Sequence, residues 1–170
     1  GKTESYLPTI FVSQPHLHII ALDVPLPVDY GGVMDIFYKI TWLHKLGIRI
    51  HLHCFTNGRP PQDELDNYCE EVLYYQRKNF LQAFPLKIPY MVASRDNAGL
   101  LKNLQQDNYP VLLEGVQCSY LLHSGALKNR TVFLRLHNAE FLYYEKLASH
   151  EHNIIRRYYY KNESRLLKRY

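Results

Sequence analysis

The sequence has few cysteines and no long hydrophobic run, and both shortages exclude classes of protein. Its 170 residues include three cysteines, which lie far apart and form no C-x-x-C pair. A disulfide-rich secreted domain is therefore not indicated, whereas free thiols in a reducing compartment are. No window approaches the ~18 consecutive apolar residues that a membrane span needs. We expect a cytoplasmic protein without a transmembrane segment.

Nucleotide fingerprints and a strong charge are missing as well. The glycine patterns G-x-G-x-x-G and G-x-x-x-x-G-K-[ST], which bind dinucleotides and nucleoside triphosphates, do not occur. The net charge of +4 is too small to indicate a nucleic acid as partner. The positive charge belongs to residues 154–170, where six basic residues accompany one acidic residue, and the rest of the chain is close to neutral.

The residues that are present have a globular composition, with 46% hydrophobic and 21% charged residues. Tyrosine is unusually common, at 15 residues, which favours half-wet surfaces such as interfaces and clefts for polar ligands. A chain of this length can bury its own core, so we expect one domain. We assign residues 16–170 to that domain and residues 1–15 to a leader or extension.

Short apolar runs alternate with helical patterns along the chain. Residues 18–22 predict a strand, residues 33–46 predict a helix that ends at Gly47, and residues 48–55 alternate as a strand does. Further strands are predicted at 73–75, 91–93, 111–113 and 132–136, the last two as buried strands. Further helices are predicted from Asp63 through Val72, after Ser94, and in two pieces from Ala139 onward. This alternation is typical of an α/β fold, Rossmann-like and doubly wound, with a mainly parallel sheet and helices on both faces.

Polar segments follow the predicted strands, and ligands of such sheets bind beyond the carboxyl ends of the strands. The segments are Asp23 with the loop to Gly32, residues 53–57, residues 94–96, residues 114–117 and residues 137–140. Strand ends are polar in any such fold, so the set indicates a site more than any single residue does. Gly31-Gly32 opens a helix, whose free N–H groups can face an anion such as a phosphate. A flexible turn at a helix start is the plainer interpretation.

Histidines offer two further hypotheses. His137 follows a strand and could donate to a ligand hydroxyl or stabilise a developing charge, or it could simply cap the next helix. His51 and His53 share a strand face and could form a metal pair, but no third ligand lies at a telling spacing, so metal is the weaker interpretation.

The last residues are both basic and aromatic. A segment of this kind could lie on an anionic membrane surface. It could equally be an ordinary helix with a solvated basic face and tyrosine rings against its neighbour, and we favour this second interpretation.

Two stretches resemble a known enzyme family. Residues 23–33, DVPLPVDYGGV, look like the N-terminal glycine loop of group 1 glycosyltransferases, the retaining GT-B enzymes of the family 4 type. Residues 135–144, RLHNAEFLYY, are similar to the R-x-H-N-x-E-x-x-Y-Y stretch of a bacterial, mannosyltransferase-like subset. Glu114-Gly115 followed by Tyr120-Leu121-Leu122 fits the same subset. The resemblance covers residues 16–170.

The resemblance implies a function. A GT-B enzyme has an N-terminal, acceptor-binding domain and a C-terminal domain that holds the nucleotide-sugar and carries an E-x₇-E motif. This chain has the length of the first domain only, so it looks like a truncated half that is inactive alone. The whole enzyme would transfer a hexose from a GDP- or UDP-hexose to the hydroxyl of a sugar or lipid-linked acceptor, with retention, in making cell envelope polysaccharide. No cofactor and no metal are implied, and no D-x-D motif is present.

The resemblance also implies roles for individual residues. Gly31 and Gly32 would lie near the donor diphosphate and the acceptor, and His137 would contact the transferred sugar near the reaction centre. The remaining candidates on the cleft rim are Asp23, Asp29, Tyr30, Glu114 and Glu140.

Two alternatives to the glycosyltransferase remain. One is a stand-alone Rossmann-like binding module or membrane-surface adaptor that uses the basic C-terminal segment. The other is a flavodoxin-like enzyme complete in 170 residues, which the missing nucleotide fingerprint disfavours.

Overall fold

A five-stranded parallel sheet organises the protein in the computed structural model, which describes residues 14–84 and 87–170. Most of the expected N-terminal extension, residues 1–13, lies outside the described residues. The strand order is β3-β2-β1-β4-β5, and all four pairings are parallel. The strands are β1 (His16–Ala21), β2 (Arg49–Thr56), β3 (Glu71–Gln76), β4 (Val111–Glu114) and β5 (Val132–Arg135).

Both faces of this sheet are covered, because alternate residues of the central strands bury apolar side chains on opposite sides. On one face Ile19 packs with Ile36 and Ile40 of α1 (Gly31–Lys45). On the other face Ile20 packs against α4 (Ala98–Leu104) and α5 (Tyr120–His123). The arrangement confirms the predicted doubly wound, Rossmann-like α/β fold.

The other helices are α2 (Phe80–Ala83), α3 (Tyr90–Ala93), α6 (Glu140–His150) and α7 (Ile154–Arg169). The break predicted between two final helices is confirmed, and the side chain of Asn153 caps α7 by accepting from the N–H groups of Ile155 and Arg156. The predicted end of α1 is confirmed too, because Gly47 adopts a φ of 80°, which glycine tolerates best.

Three sequence predictions were wrong. The helix expected from Asp63 to Val72 is only a 3₁₀ turn at Asp63–Asn67, since β3 begins at Glu71 and leaves no room for more turns. Residues 91–93, expected as a strand, lie in α3, because short apolar runs do not distinguish a strand from a buried helical turn. β5 was expected to be buried, but it is the edge strand, and Phe133 and Leu134 are exposed.

The long helices are amphipathic or polar. None of the helices found within residues 14–84 and 87–170 combines the length and the hydropathy that crossing a bilayer requires.

Four histidines form a hydrogen-bonded ladder across β1 and β2, near their amino ends. The Nδ1 atom of His16 lies 2.8 Å from Nε2 of His51, and Nδ1 of His18 lies 2.8 Å from Nε2 of His53. His18 also bonds the Asp107 carboxylate at 3.0 Å. His53 is fully buried and completes its bonding with the hydroxyl of Tyr75, at 2.9 Å between Nδ1 and the oxygen. His51 uses its remaining nitrogen for Glu71, so the suggested His51–His53 metal pair has no free nitrogen to offer.

The ladder should make folding stability depend on pH. Burial lowers the pKa of His53 from 6.5 to about 3, with smaller contributions from His18 and His51, and burial also lowers the pKa of His18. Below pH 6.5 these histidines therefore bind more protons in the unfolded chain than in the folded chain. We expect His53 to lower the free energy of unfolding by about 1.4 kcal/mol per pH unit as the pH drops below that value, and His18 to act in the same direction.

Urea unfolding at about pH 7 and about pH 5 measures this effect. The variant His53→Gln should be less stable near neutrality, because it loses ladder hydrogen bonds, and should show a weaker loss on acidification. His152→Gln, which removes an exposed imidazole, is the matched control. Equal pH dependence in the wild type and in His53→Gln would contradict the prediction.

Candidate functional site

The candidate site lies at the edge of the sheet where the strands end. Because every pairing is parallel, the carboxyl ends of the five strands share one edge, which we call the carboxyl edge. Leu22 and Asp23 follow β1, Arg77 follows β3, and Glu114 ends β4. His137 lies two residues beyond the end of β5.

Glu114 and His137 form the centre of the site. The Glu114 side chain is completely buried, and its Oε1 atom accepts from the ammonium group of Lys39 on α1. Its Oε2 atom lies 3.1 Å from Nε2 of His137, but neither atom has an aligned hydrogen-bond partner among the described residues. A buried carboxylate this close favours the tautomer that carries a proton on Nε2, so Glu114 can fix the orientation of the imidazole ring.

Asp35 connects this centre to the first turns of α1. Its carboxylate binds both terminal nitrogens of Arg135, at 2.6 and 3.0 Å, and lies 3.5 Å from the Lys39 ammonium. Its Oδ2 atom is 4.0 Å from Nδ1 of His137. The imidazole therefore stands between two carboxylates, and the two carboxylates are matched by two cations. Charge balance of this kind makes the burial of Glu114 tolerable.

Asp35, Glu114 and His137 also bring three possible metal-ligand atoms within 4.8 Å of one another. Lys39 and Arg135 already neutralise the two carboxylates, which weakens their attraction for a divalent cation, although Oε2 of Glu114 and Nε2 of His137 have no aligned partner among the described residues. The donor set therefore suits a hydrogen-bonded cluster better than a metal centre.

Gly115 lets the centre form. Its φ of 91° is a conformation that side-chain-bearing residues rarely adopt, and a Cβ there would lie 2.2 Å from Oε1 of Gln117 and 3.4 Å from Cδ2 of His137. Gln117 donates to Glu140, at 3.3 Å, which brings the predicted rim residue Glu140 to the same end of β4.

The N-terminus of α1 forms a second part of the carboxyl edge. The helix begins at Gly31 after the extended residue Tyr30, and no side chain in the part of the chain that the structure describes caps it. The space around Gly31 is open, whereas the Tyr30 ring covers Gly32, whose added Cβ would lie 3.1 Å from the ring. Free N–H groups and the helix dipole at Gly31 can therefore meet an anion. Asp35 lies one turn further along, so this N-terminus and His137 share the same end of α1.

Asp23 and Asp29 stabilise the loop between β1 and α1. The Asp23 carboxylate accepts from the N–H of Val24 at 2.8 Å, and burial raises its pKa against the opposing effect of nearby arginines. Asp29 pairs with Arg59 at 2.8 Å. The Arg59 guanidinium also lies over the Tyr30 ring, 5.5 Å from its centre, so it fastens the loop to the end of β2.

The structure thus brings the predicted residues together in two groups: Glu114, His137 and Glu140, and Asp23, Asp29, Tyr30, Gly31 and Gly32. Sequence analysis missed Asp35, Lys39, Arg59 and Arg77. Arg95 and Gln117 lie in the predicted polar segments 94–96 and 114–117, and Arg135 lies in the stretch 135–144, but none of the three was singled out. Asp35 and Lys39 stand four residues apart beside the apolar stripe of α1, and that spacing was the available signal. Arg59 and Arg77 gave none, because isolated basic residues in loops are common.

Comparison with known proteins finds a similar protein of which no function is named. The chain is 30% identical, over an alignment of 151 residues that covers 84% of its length, to an uncharacterized 44.6 kDa protein in the cps region of Klebsiella pneumoniae. It spans 38% of the length of that protein. No protein-family model matches the sequence, and no solved structure matches it significantly.

Gly115→Ala tests whether the close approach at the centre is required. The flexible Gln117 side chain can move aside, but the positive φ remains, so we expect a loss of roughly 1–3 kcal/mol in unfolding free energy. Gly31→Ala is the control, because it has open space and no positive φ, and should change stability by about 0.5 kcal/mol or less. Urea unfolding of both variants measures the difference, and equal stabilities would show that Gly115 is not strained.

Proposed function

We propose that this chain is the acceptor-binding, N-terminal domain of a retaining glycosyltransferase. The proposal rests on one observation. At the carboxyl edge of a Rossmann-like sheet, His137 and the buried Glu114 lie close to the uncapped start of α1. The same residues lie in the two stretches that resemble family 4 glycosyltransferases. The similarity to a protein of a cps region is compatible with a part in envelope polysaccharide synthesis.

The chemistry assigns a task to each group. Transfer of a hexose from a nucleotide-sugar develops positive charge at the anomeric carbon and negative charge on the leaving diphosphate. His137, oriented by Glu114, hydrogen-bonds the transferred sugar beside the reacting carbon. The N–H groups at Gly31 face the diphosphate, where fixed donors stabilise growing negative charge without reorganisation. The donor itself, a GDP- or UDP-hexose, would be held by a second domain, and the acceptor by the rim around Asp23 and Tyr30.

The polypeptide that includes both domains is the protein to test. His137→Ala should lower its turnover by about 10²–10³-fold, as the loss of a transition-state hydrogen-bond donor does, while its circular dichroism is unchanged. Transfer is measured with radiolabelled GDP- and UDP-hexoses, and His150→Ala, at the far end of α6, is the control.

Unchanged turnover in His137→Ala would show that this residue takes no part in transfer and only caps the next helix. The 170-residue chain alone should show no transfer, because the donor is expected to bind elsewhere. Sustained transfer by this chain alone would contradict the two-domain proposal.

A second candidate function is a membrane-surface adaptor, favoured by the surface of α7. Ile154, Ile155 and Tyr158 are among the most exposed apolar side chains, and Arg156 and Arg157 are exposed beside them. The groove between α6 and α7, about 650 Å³, is also basic. Its charged lining comprises Arg157, Lys161, Arg165, Lys168, Arg169 and Glu145. Apolar tips among cations are what an anionic bilayer attracts.

Vesicle flotation tests the adaptor. If it is correct, the chain floats with vesicles that contain anionic phospholipid and stays behind with neutral ones. Each basic residue near such a surface contributes about 1 kcal/mol, so neutralising Arg156, Arg157, Lys168 and Arg169 should weaken binding by roughly 10³-fold. Flotation that survives this change, or that is insensitive to salt, would exclude the adaptor.

A further inference from the structure

Arg95 is a buried cation with only neutral partners. Its side chain is 4% exposed, and its terminal nitrogens donate to the carbonyls of Met91, at 2.6 Å, and Leu22, at 2.9 Å. Its Nε atom is buried and has no partner, and no carboxylate within residues 14–84 and 87–170 pairs with it. Burial lowers the pKa of Arg95 to about 10, which leaves the guanidinium charged at neutral pH. A charge in this position is costly until an anion joins it.

Arg77 lies beside Arg95. The chain on either side of Arg77 is bonded to the segment that contains Arg95: Lys78 donates its N–H to the Ser94 carbonyl at 2.8 Å, and the Asn97 amide donates to the Gln76 carbonyl at 3.4 Å. Arg77 is half-buried, its Nε atom is buried without a partner, and it makes no ion pair with any described residue.

Other charges nearby do not neutralise this pair. Arg59 is matched by Asp29, and Lys78 by Asp96. Asp23 is the remaining acid, next to the Leu22 carbonyl that Arg95 holds, and the charges of Arg59, Arg95 and Arg77 all act to lower its pKa against burial. Among the described residues, one carboxylate thus acts on two guanidinium groups that form no ion pair, so the end of the β1 loop has an excess of positive charge.

We propose that Arg77 and Arg95 bind a phosphoryl group of the acceptor, next to the open N-terminus of α1. A phosphoryl group has several charged oxygens and can meet two guanidinium groups at once, which a single carboxylate does less well. The loop that Arg95 holds at Leu22 leads to Tyr30 and Gly31, so an anion here adjoins the rim assigned to the acceptor. The assignment of the phosphoryl group to the acceptor rests on the proposed function, whereas the anion site itself does not.

Titration calorimetry of the 170-residue chain with inorganic pyrophosphate tests the site. The wild type should bind at millimolar concentration or below, and Arg77→Gln should bind at least about tenfold more weakly. Its melting temperature should change little, because the Arg77 side chain makes no hydrogen bond or ion pair with any described residue. Arg95→Lys should weaken binding too, since lysine cannot reproduce the guanidinium geometry. Arg156→Gln, an exposed arginine of α7, is the matched control for loss of charge.

Several outcomes would overturn the proposal. These are no binding by the wild type, equal binding by Arg77→Gln, or loss of binding in Arg156→Gln instead. Competition then separates two sources of the phosphoryl group. Displacement of pyrophosphate by a short prenyl diphosphate supports the acceptor, whereas tighter, Arg77-dependent binding of GDP or UDP would assign the site to the donor and overturn the acceptor claim. Because binding needs no turnover, hexose transfer by the longer protein without pyrophosphate binding would remove this site and leave the proposed function standing.

Discussion

The buried carboxylate of Glu114 is the constraint on which the candidate site depends. A fully buried charge must be compensated, and Lys39 on α1 supplies the opposite charge, while His137 beyond β5 lies 3.1 Å from the second carboxylate oxygen. These three residues belong to elements that are far apart in sequence, so one carboxylate ties a strand end to a helix and to a loop. Gly115, directly after Glu114, has a positive φ of 91°, and a Cβ there would lie 2.2 Å from Oε1 of Gln117.

Hydrophobic patterning was sufficient to predict most of the fold. The runs around Ile19, Ile50 and Val111 have the period or the continuity of buried strands, and parallel pairing follows from the helix between β1 and β2. Patterning failed for residues 91–93, where four residues in a helical turn bury the same side chains that a strand would. It also failed for β5, since sequence does not show which strand lies at an edge.

The candidate site was predictable only in part. The rule that ligands bind beyond parallel strands located Glu114 and His137 correctly at one edge. It could not locate Asp35 or Lys39, which reach that edge from the side of a helix, nor pair Arg77 with Arg95, which are brought together by backbone bonds between two loops. Side chains that arrive from helices and loops depend on packing angles that periodicity does not contain.

The histidine ladder has a consequence for how β1 finds its partner. A slip of one residue between two strands turns every side chain to the wrong face and is rejected by burial alone. A slip of two residues keeps the faces, so apolar contacts discriminate against it poorly. The ladder bonds run diagonally, from His16 to His51 and from His18 to His53, while His18 stands opposite His51 in the pairing. If β1 slipped by two residues towards the carboxyl end of β2, His18 would stand opposite His53, and Phe55 would take the diagonal position that His53 has in the native pairing. Phe55 has no hydrogen-bonding group, so the buried imidazole of His18 would lose its bond. The hydrogen bonds between the imidazoles therefore favour the native alignment of the two central strands over the slipped one.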